Sequence, residues 1–342
     1  MKAAVYTRYG PPDVVQILEV EKPVPKDNEV LIKVHAAGVN PLDCGSLKGV
    51  PYIFRLVFGL RKPEVARPAR LGVDVAGQVE AVGSQVTEFR PGDDVFGACI
   101  VDPHGSGVKV WICQGAFAEY ACVAESILVK KPENVTFEEA AAVPVAAFTA
   151  LQGLRDKGKI QPGQKVLVNG AAGGVGTLAV QIAKAFGAEV TGVCSTRNVD
   201  MVRSIGADAA IDYTEEDFAE RSERYDLIFD CIGNHSLSAI KHLLNPQGIG
   251  VMAGDLTGRP AIGIIGRLVA LMFSGFGSRK LVTFLAKPKK ADLIVMRDLM
   301  QEGKVKPVID RCYRLGELPQ AIRYLEQKHA RGKVVIAFEA AN

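Results

Sequence analysis

The stretch Lys165-Val166-Leu167-Val168-Asn169-Gly170-Ala171-Ala172-Gly173-Gly174-Val175-Gly176 decides the fold. It opens with an apolar run of strand length and passes into a glycine-rich turn. Gly174 to Phe186 then reads as a helix. Strand, glycine turn and helix in that order form the first half of a βαβ unit, the context in which a glycine motif signals dinucleotide binding. The tight turn needs small residues. Gly173 lets the backbone approach a pyrophosphate, and Gly176 lets the helix pack on the strand. The helix start adds unpaired N–H groups and a partial positive charge. Ala172, Gly173, Gly174, Val175 and Gly176 are therefore candidate cofactor-binding residues, although Ala171 stands where the first glycine of the fingerprint usually is.

Outward from this stretch the alternation continues. Strands are expected at 189–193, 209–211, 225–230 and 250–253, with helices at 201–205 and 236–244. Apolar strands alternating with helices imply a parallel sheet covered on both faces. A long helical segment is expected upstream, over 137–154. Residues 1–130 are different in kind. They hold short strands, such as Val30–Val34 and Asp74–Gly83, and the Pro91-Gly92-Asp93-Asp94 turn before Val95-Phe96-Gly97, which suggests a compact, barrel-like sheet. The strand-like Lys333–Phe338 run suggests that the C-terminal part returns to that first domain. The expected division is 1–130 with 268–342, and 131–267.

The end of the strand after the glycine turn separates NAD from NADP. An NAD site places an acid there for the ribose 2′-hydroxyl. Here Val193-Cys194-Ser195-Thr196-Arg197-Asn198 has no acid before Asp200. Hydroxyls and a guanidinium suit a 2′-phosphate, so the reading is NADPH, with Ser195, Thr196 and Arg197 as contacts.

Composition narrows the rest. The 342 residues are 48% hydrophobic and 23% charged, ordinary for a globular chain of about two domains, and disorder as the main state is excluded. The balance of 41 basic against 38 acidic residues, net +3, argues against a dedicated nucleic-acid binder. Cys44, Cys99, Cys113, Cys122, Cys194, Cys231 and Cys312 include no C-x-x-C pair, so neither a structural zinc knuckle nor a redox dithiol is indicated. Scattered cysteines and the lack of a signal peptide point to a reducing, cytoplasmic setting.

Five motifs in order resemble the medium-chain dehydrogenase/reductase superfamily, and within it the zinc-independent quinone oxidoreductase branch. They are Gly38-Val39-Asn40-Pro41-Leu42-Asp43, Gly72-Val73-Asp74-Val75-Ala76-Gly77, Pro144–Leu151, Ala171–Gly176 and Arg331-Gly332-Lys333-Val334-Val335. The resemblance implies a β-rich GroES-like catalytic domain, a doubly wound Rossmann domain and often a homodimer. Departures from the zinc alcohol dehydrogenases assign the branch: those have cysteine where Asn40 stands, histidine-glutamate where Val73-Asp74 stands and another cysteine near Val145-Ala146. A catalytic zinc needs about three protein ligands, so no metal is expected. His35 and Cys44 flank the Asn40 motif and are expected to be packing residues. Without a Lewis acid, the implied substrate is one that spreads the charge of an added hydride: a quinone or an α,β-unsaturated carbonyl.

The resemblance further implies Asn40 at the nicotinamide end of the cleft, Thr149 beside the nicotinamide and Tyr213 near the 2′-phosphate. Gly233, Gly254, Gly332 and Lys333 are implied near the cofactor. Tyr52 is the candidate proton donor, solvent the alternative. Two readings compete with a reductase: an NADPH-binding protein with a sensing, membrane-associated or RNA-binding role, and an atypical alcohol dehydrogenase. Residues 53–70 carry five basic residues against one acidic, and 256–291 carry seven and none. Both segments are also apolar. They suit peripheral contact with an anionic membrane surface, a lid over an apolar cleft, or a dimer interface.

Overall fold

The computed structural model describes residues 1–49, 69–101, 110–113, 115–253 and 278–338. Two compact units emerge. The first comprises Met1–Val145, Lys287–Gln301 and Pro307–Asn342, the second Ala146–Ala286 and Glu302–Lys306. The expected sequence boundary at 130/131 precedes the helix Phe137–Ala141; the observed one follows it.

The first unit is built around the strand Glu29–Val39. Its β-branched and small apolar residues are buried almost throughout, as a central strand requires. It pairs antiparallel with Asp74–Val82, with Tyr120–Ala124 over residues 29–33, and with Lys333–Ala337 over residues 36–39. The seven-stranded sheet runs from Leu128–Lys130 through Asp94–Ala98, Asp74–Val82, Glu29–Val39 and Lys333–Ala337 to Ile309–Arg314. The C-terminal strand therefore lies beside the central one. Helix Phe137–Ala141 is started by a capping box. Thr136 Oγ1 accepts from Glu139 N, and Glu139 Oε2 accepts from Thr136 N. It lies on Gly38, where a Cβ would come within 2.4 Å of Ala141 O.

The helix expected over 137–154 is thus interrupted. Pro144 lacks an N–H and disfavours helical geometry at Val143, so a second helix, Pro144–Leu151, begins there. It continues as a π-helical segment, Gln152–Lys157, which rests Gly153 against the Phe229 ring.

The second unit holds a six-stranded, wholly parallel sheet in the order Ala209–Asp212, Glu189–Cys194, Lys165–Asn169, Tyr225–Asp230, Leu244–Met252, Lys280–Thr283. Chain order reverses direction between Lys165–Asn169 and Tyr225–Asp230, the switch point at which doubly wound sheets bind ligands. Leu167, Val193, Ile228 and Met252 are among the core residues under the sheet. The helix expected at 236–244 is shorter, Leu237–His242, because the chain enters the next strand at Leu244. The units form a Rossmann-like parallel α/β sheet and a GroES-like β domain. Among the described residues no helix is long and apolar enough to cross a membrane.

Candidate functional site

Each unit contributes a constellation of its own. In the second unit, the glycine turn follows Lys165–Asn169 and opens helix Gly174–Ala185. Gly170 carries the left-handed conformation of the turn, φ +84°. That explains why Ala171 is tolerated in the fingerprint: the position that needs glycine is one residue earlier. Ala171 is buried, its methyl facing Gly192 on the neighbouring strand. The two later glycines have different tasks. A Cβ at Gly176 would come within 2.0 Å of Gly170 O, so this glycine lets helix and turn touch. A Cβ at Gly173 would meet only Gly170 O, at 3.5 Å, and would otherwise project into open space in front of the helix start. The N–H of Thr177 is the first to find a helical acceptor, Gly173 O at 2.9 Å. The preceding N–H groups of Gly174, Val175 and Gly176 therefore have no acceptor within the helix. No capping side chain covers them. Ala172 is buried at the head of the turn. This cradle fits a dinucleotide pyrophosphate.

Ser195, Thr196 and Arg197 follow the end of the adjacent strand, Glu189–Cys194; Thr196 and Arg197 are exposed and Ser195 half-buried. Asn198 is buried, with Nδ2 donating to Ser195 Oγ at 3.1 Å, while its Oδ1 has no hydrogen-bond partner among the described residues. This orphaned acceptor calls for a donor, such as a ligand hydroxyl or amine, and not for a phosphate oxygen. Tyr213 is 56% exposed, and its backbone N–H is bonded to Cys194 O at the same strand end.

One group here is not apparent from the motif. Asp212 lies opposite Cys194 in the strand register. Its Oδ1 accepts from Thr214 N at 2.9 Å and Thr214 Oγ1 at 2.7 Å, and Thr214 Oγ1 lies 2.8 Å from Thr196 Oγ1. Hydrogen bonding from Thr196 and then Thr214 holds the Asp212 carboxyl below its ordinary range. The acid next to the strand end is thus engaged by threonines. The signal that could have found it is the pairing of two neighbouring strand ends.

At the switch point, Asn169 Nδ2 donates to Asp230 Oδ1 at 2.8 Å and to Asn234 Oδ1 at 2.9 Å. The same Asp230 oxygen accepts from the N–H groups of Ile232 and Gly233. These bonds tie together the ends of the two central strands, and Gly233 takes φ +71° to allow the turn. Thr149 is half-buried on helix Pro144–Leu151. Gly254 and Tyr52 lie outside the described residues.

The first unit holds a closed polar ring built around Asn40, the residue before helix Pro41–Lys48. An asparagine there normally caps the helix with its side chain. This one does not. Asp43 Oδ2 accepts from Asn40 N at 2.8 Å, and Asp43 Oδ1 accepts from Gly72 N at 3.1 Å, so Asp43 fixes the backbone. The Asn40 side chain turns inward. Nδ2 donates to Asp74 Oδ2 at 3.0 Å and to Gly38 O at 3.3 Å. Oδ1 accepts from Lys333 Nζ at 2.5 Å. Lys333 Nζ also lies 3.1 Å from Asp74 Oδ2, and Asp74 Oδ1 accepts from Val145 N at 2.9 Å. Asn40, Asp74 and Lys333 are 2%, 0% and 5% exposed. Burial pushes the Asp74 carboxyl up overall, against the smaller opposing pull of the Lys333 ammonium, Asn40 and Val145. Three donors and no acceptor surround it, the environment of a carboxylate.

The structure thus brings Asn40 and Lys333 together and adds Asp74 as their common partner. Gly332 is explained by packing: at φ +94°, a Cβ would come within 2.2 Å of Val308 O. His35 stacks on Phe137 at 4.4 Å, and burial lowers its pKa. Cys44 Sγ lies 3.6 Å from Asn40 O, and burial pushes its thiol up to about 12. Both are packing residues here.

Residues 26–133 match the family model for the alcohol dehydrogenase GroES-like domain, and residues 205–336 that for zinc-binding dehydrogenase. A 2-methylene-furan-3-one reductase from Solanum lycopersicum is 37% identical over 98% of this chain and 79% of its own. A chloroplastic NADPH-dependent alkenal/one oxidoreductase from Arabidopsis thaliana is 36% identical with the same coverage. The solved quinone oxidoreductase from Coxiella burnetii aligns with a TM-score of 0.80 at 30% identity, over 99% of each chain.

Proposed function

The chain belongs to the medium-chain dehydrogenase/reductase family, in its quinone oxidoreductase-like group, and from that premise we propose that it is an NADPH-dependent, zinc-independent reductase of quinones or α,β-unsaturated carbonyls. The observation that carries this reading is the Asn40–Asp74–Lys333 ring. Asn40 stands where the zinc alcohol dehydrogenases have a cysteine, and Asp74 where they have the glutamate that follows a histidine. Here the two positions hold an amide and a carboxylate closed on an ammonium. A divalent cation in that ring would face a lysine and lack thiolate or imidazole donors. An acceptor that delocalises the incoming charge onto its own oxygen is the matching substrate. The relatives named for alkenal/one, furanone and quinone reduction support the same class.

Bound NADPH would supply the hydride. The N–H groups of Gly174, Val175 and Gly176 would hold its pyrophosphate, while Ser195, Thr196 and Arg197 would hold the 2′-phosphate beside Tyr213. Thr149 and Asn40 belong to the nicotinamide end in the same reading. Tyr52 or solvent delivers the proton. A cytoplasmic homodimer is part of the proposal, as is peripheral membrane contact through 53–70 and 256–291; chromatography with light scattering and sedimentation with anionic vesicles test these.

The deciding experiment is a panel of quinones, alkenals, saturated ketones and alcohols scored with NADPH and NADH. Turnover of the first two classes with NADPH preferred is expected, on protein with substoichiometric zinc. Stoichiometric zinc, or saturable NADPH binding without turnover on any acceptor, overturns the reading. Arg197→Glu tests the phosphate site. The Kd for NADPH is expected to rise about tenfold or more, the loss of a charge-assisted contact, with little change for NADH. Equal effects on the two cofactors would remove Arg197 from the site.

A further inference from the structure

The polar ring has one donor to spare, and it is not the one that the residue types suggest. A primary amide has two N–H groups, and Asn40 donates one to Asp74 and one to Gly38. Asn40 can therefore give no hydrogen bond to a ligand without opening the ring. An ammonium has three N–H groups. Lys333 directs one to Asn40 Oδ1 and one to Asp74 Oδ2, and the third has no partner among the described residues. Lys333 is only 5% exposed, so this N–H is largely removed from bulk water. A buried ammonium proton without an acceptor is costly unless a ligand supplies one.

We propose that Lys333 is the electrophile of this site, donating its third N–H to the carbonyl oxygen of the acceptor, with Asp74 and Asn40 as positioning residues. This inference rests on the proposed quinone or enone reductase activity and assigns its oxyanion partner. Hydride leaves reduced NADPH and forms a C–H bond at the acceptor. The conjugated π pair moves toward the carbonyl oxygen, so the acceptor is reduced and the cofactor oxidised. The Lys333 ammonium hydrogen-bonds that oxygen as its negative charge grows, and a solvent proton completes the product. Lys333 keeps its own protons throughout. Asp74 holds the ammonium, and the Asn40 carbonyl directs a second N–H, so that the third points in a fixed direction. A preorganised donor of this kind costs no reorganisation when the charge develops.

The test compares acceptors of unequal electrophilicity in Lys333→Met, in Asp74→Asn/Lys333→Met and in Lys333→Ala. The double variant avoids leaving a buried carboxylate unpaired, so a folding defect of the single variant cannot hide the result. For a weakly electrophilic enone, kcat/KM is expected to fall about 10²–10³-fold, the loss typical of one oxyanion donor. For a strongly electrophilic quinone, which needs less help, the loss is expected to stay under about tenfold, a differential-binding signature that general misfolding does not give. The Kd of NADPH, followed by fluorescence, is expected to stay within about threefold, because the lost donor faces the acceptor. Propylammonium, the fragment removed in Lys333→Ala, is expected to restore enone turnover, and neutral propanol is not. Equal losses on enone and quinone, a rise in NADPH Kd that accounts for the loss, or failure of propylammonium to rescue would each overturn the assignment. Wild-type protein that reduces neither acceptor overturns the underlying activity instead.

Discussion

The glycine turn of the second unit and the polar ring of the first present their hydrogen-bond donors in opposite ways. The turn uses backbone. Its donors are the N–H groups of Gly174, Val175 and Gly176, and its requirement is that side chains be absent. The ring uses side chains from residues 40, 74 and 333, and its requirement is that all three be present. A backbone site is contiguous in sequence and tolerant of chemistry so long as space is kept. A side-chain ring is scattered along the chain, and losing one member exposes the charge of another. The two should therefore fail differently.

The largest effect is expected in the ring. Asp74→Ala removes the carboxylate from a buried ammonium and strips acceptors from Asn40 Nδ2 and Val145 N. Breaking one side of a buried ion pair costs about 3–5 kcal/mol. Denaturant unfolding should show a loss in that range. Asp74→Asn/Lys333→Met, which removes both charges, should recover most of it. If Asp74→Ala costs under about 1 kcal/mol, the pair is not a desolvated one and the contrast with the turn fails.

Next comes Gly176→Ala. Alanine favours a helix over glycine by about 1 kcal/mol, so propensity alone predicts stabilisation. Against this stands a Cβ placed 2.0 Å from Gly170 O, a backbone atom that cannot rotate away. Overpacking of this kind costs about 1–3 kcal/mol, and it should win. A lower unfolding temperature together with weaker NADPH binding is the expected pair of results. An unchanged unfolding temperature would show that the turn yields, and that the space between helix and strand is not rigid.

The same contrast explains what the sequence alone makes legible. The turn is readable because its whole argument lies within a dozen consecutive residues; even the misfit at Ala171 resolves through its neighbour Gly170, at φ +84°. Asn40 and Lys333 are each picked out by their motifs, but their contact spans 293 residues of chain and depends on Lys333–Ala337 lying beside Glu29–Val39. No periodicity announces such a register. Asp74 stays invisible as their partner for the same reason, as does Asp212 beside the Ser195 strand end, which only the pairing of two strand termini reveals. The interruption of the helix expected over 137–154 has a local cause that composition outweighs. The alanine-rich run is helical in tendency, yet Pro144 lacks the N–H that would continue the first helix and instead starts a second.

The smallest effect on the fold, and the sharpest test of the comparison, belongs to Gly173→Ala. Gly173 has ordinary extended geometry, φ −82° and ψ 173°, which alanine adopts without strain. Its Cβ would meet only Gly170 O at 3.5 Å, an ordinary contact. Alanine is a slightly poorer residue than glycine before a helix, but it reduces the entropy of the unfolded chain, so the net change should stay within about 0.5 kcal/mol. The methyl would nevertheless stand where a pyrophosphate approaches the N–H groups of Gly174 and Val175. The protein should therefore unfold at nearly the wild-type temperature without NADPH, while the rise that NADPH produces should shrink, since ligand stabilisation follows RT ln(1 + [L]/Kd). Gly176→Ala should lower both quantities; Gly173→Ala should lower only the second. If Gly173→Ala leaves the NADPH-induced rise intact, the phosphates do not sit at this helix start.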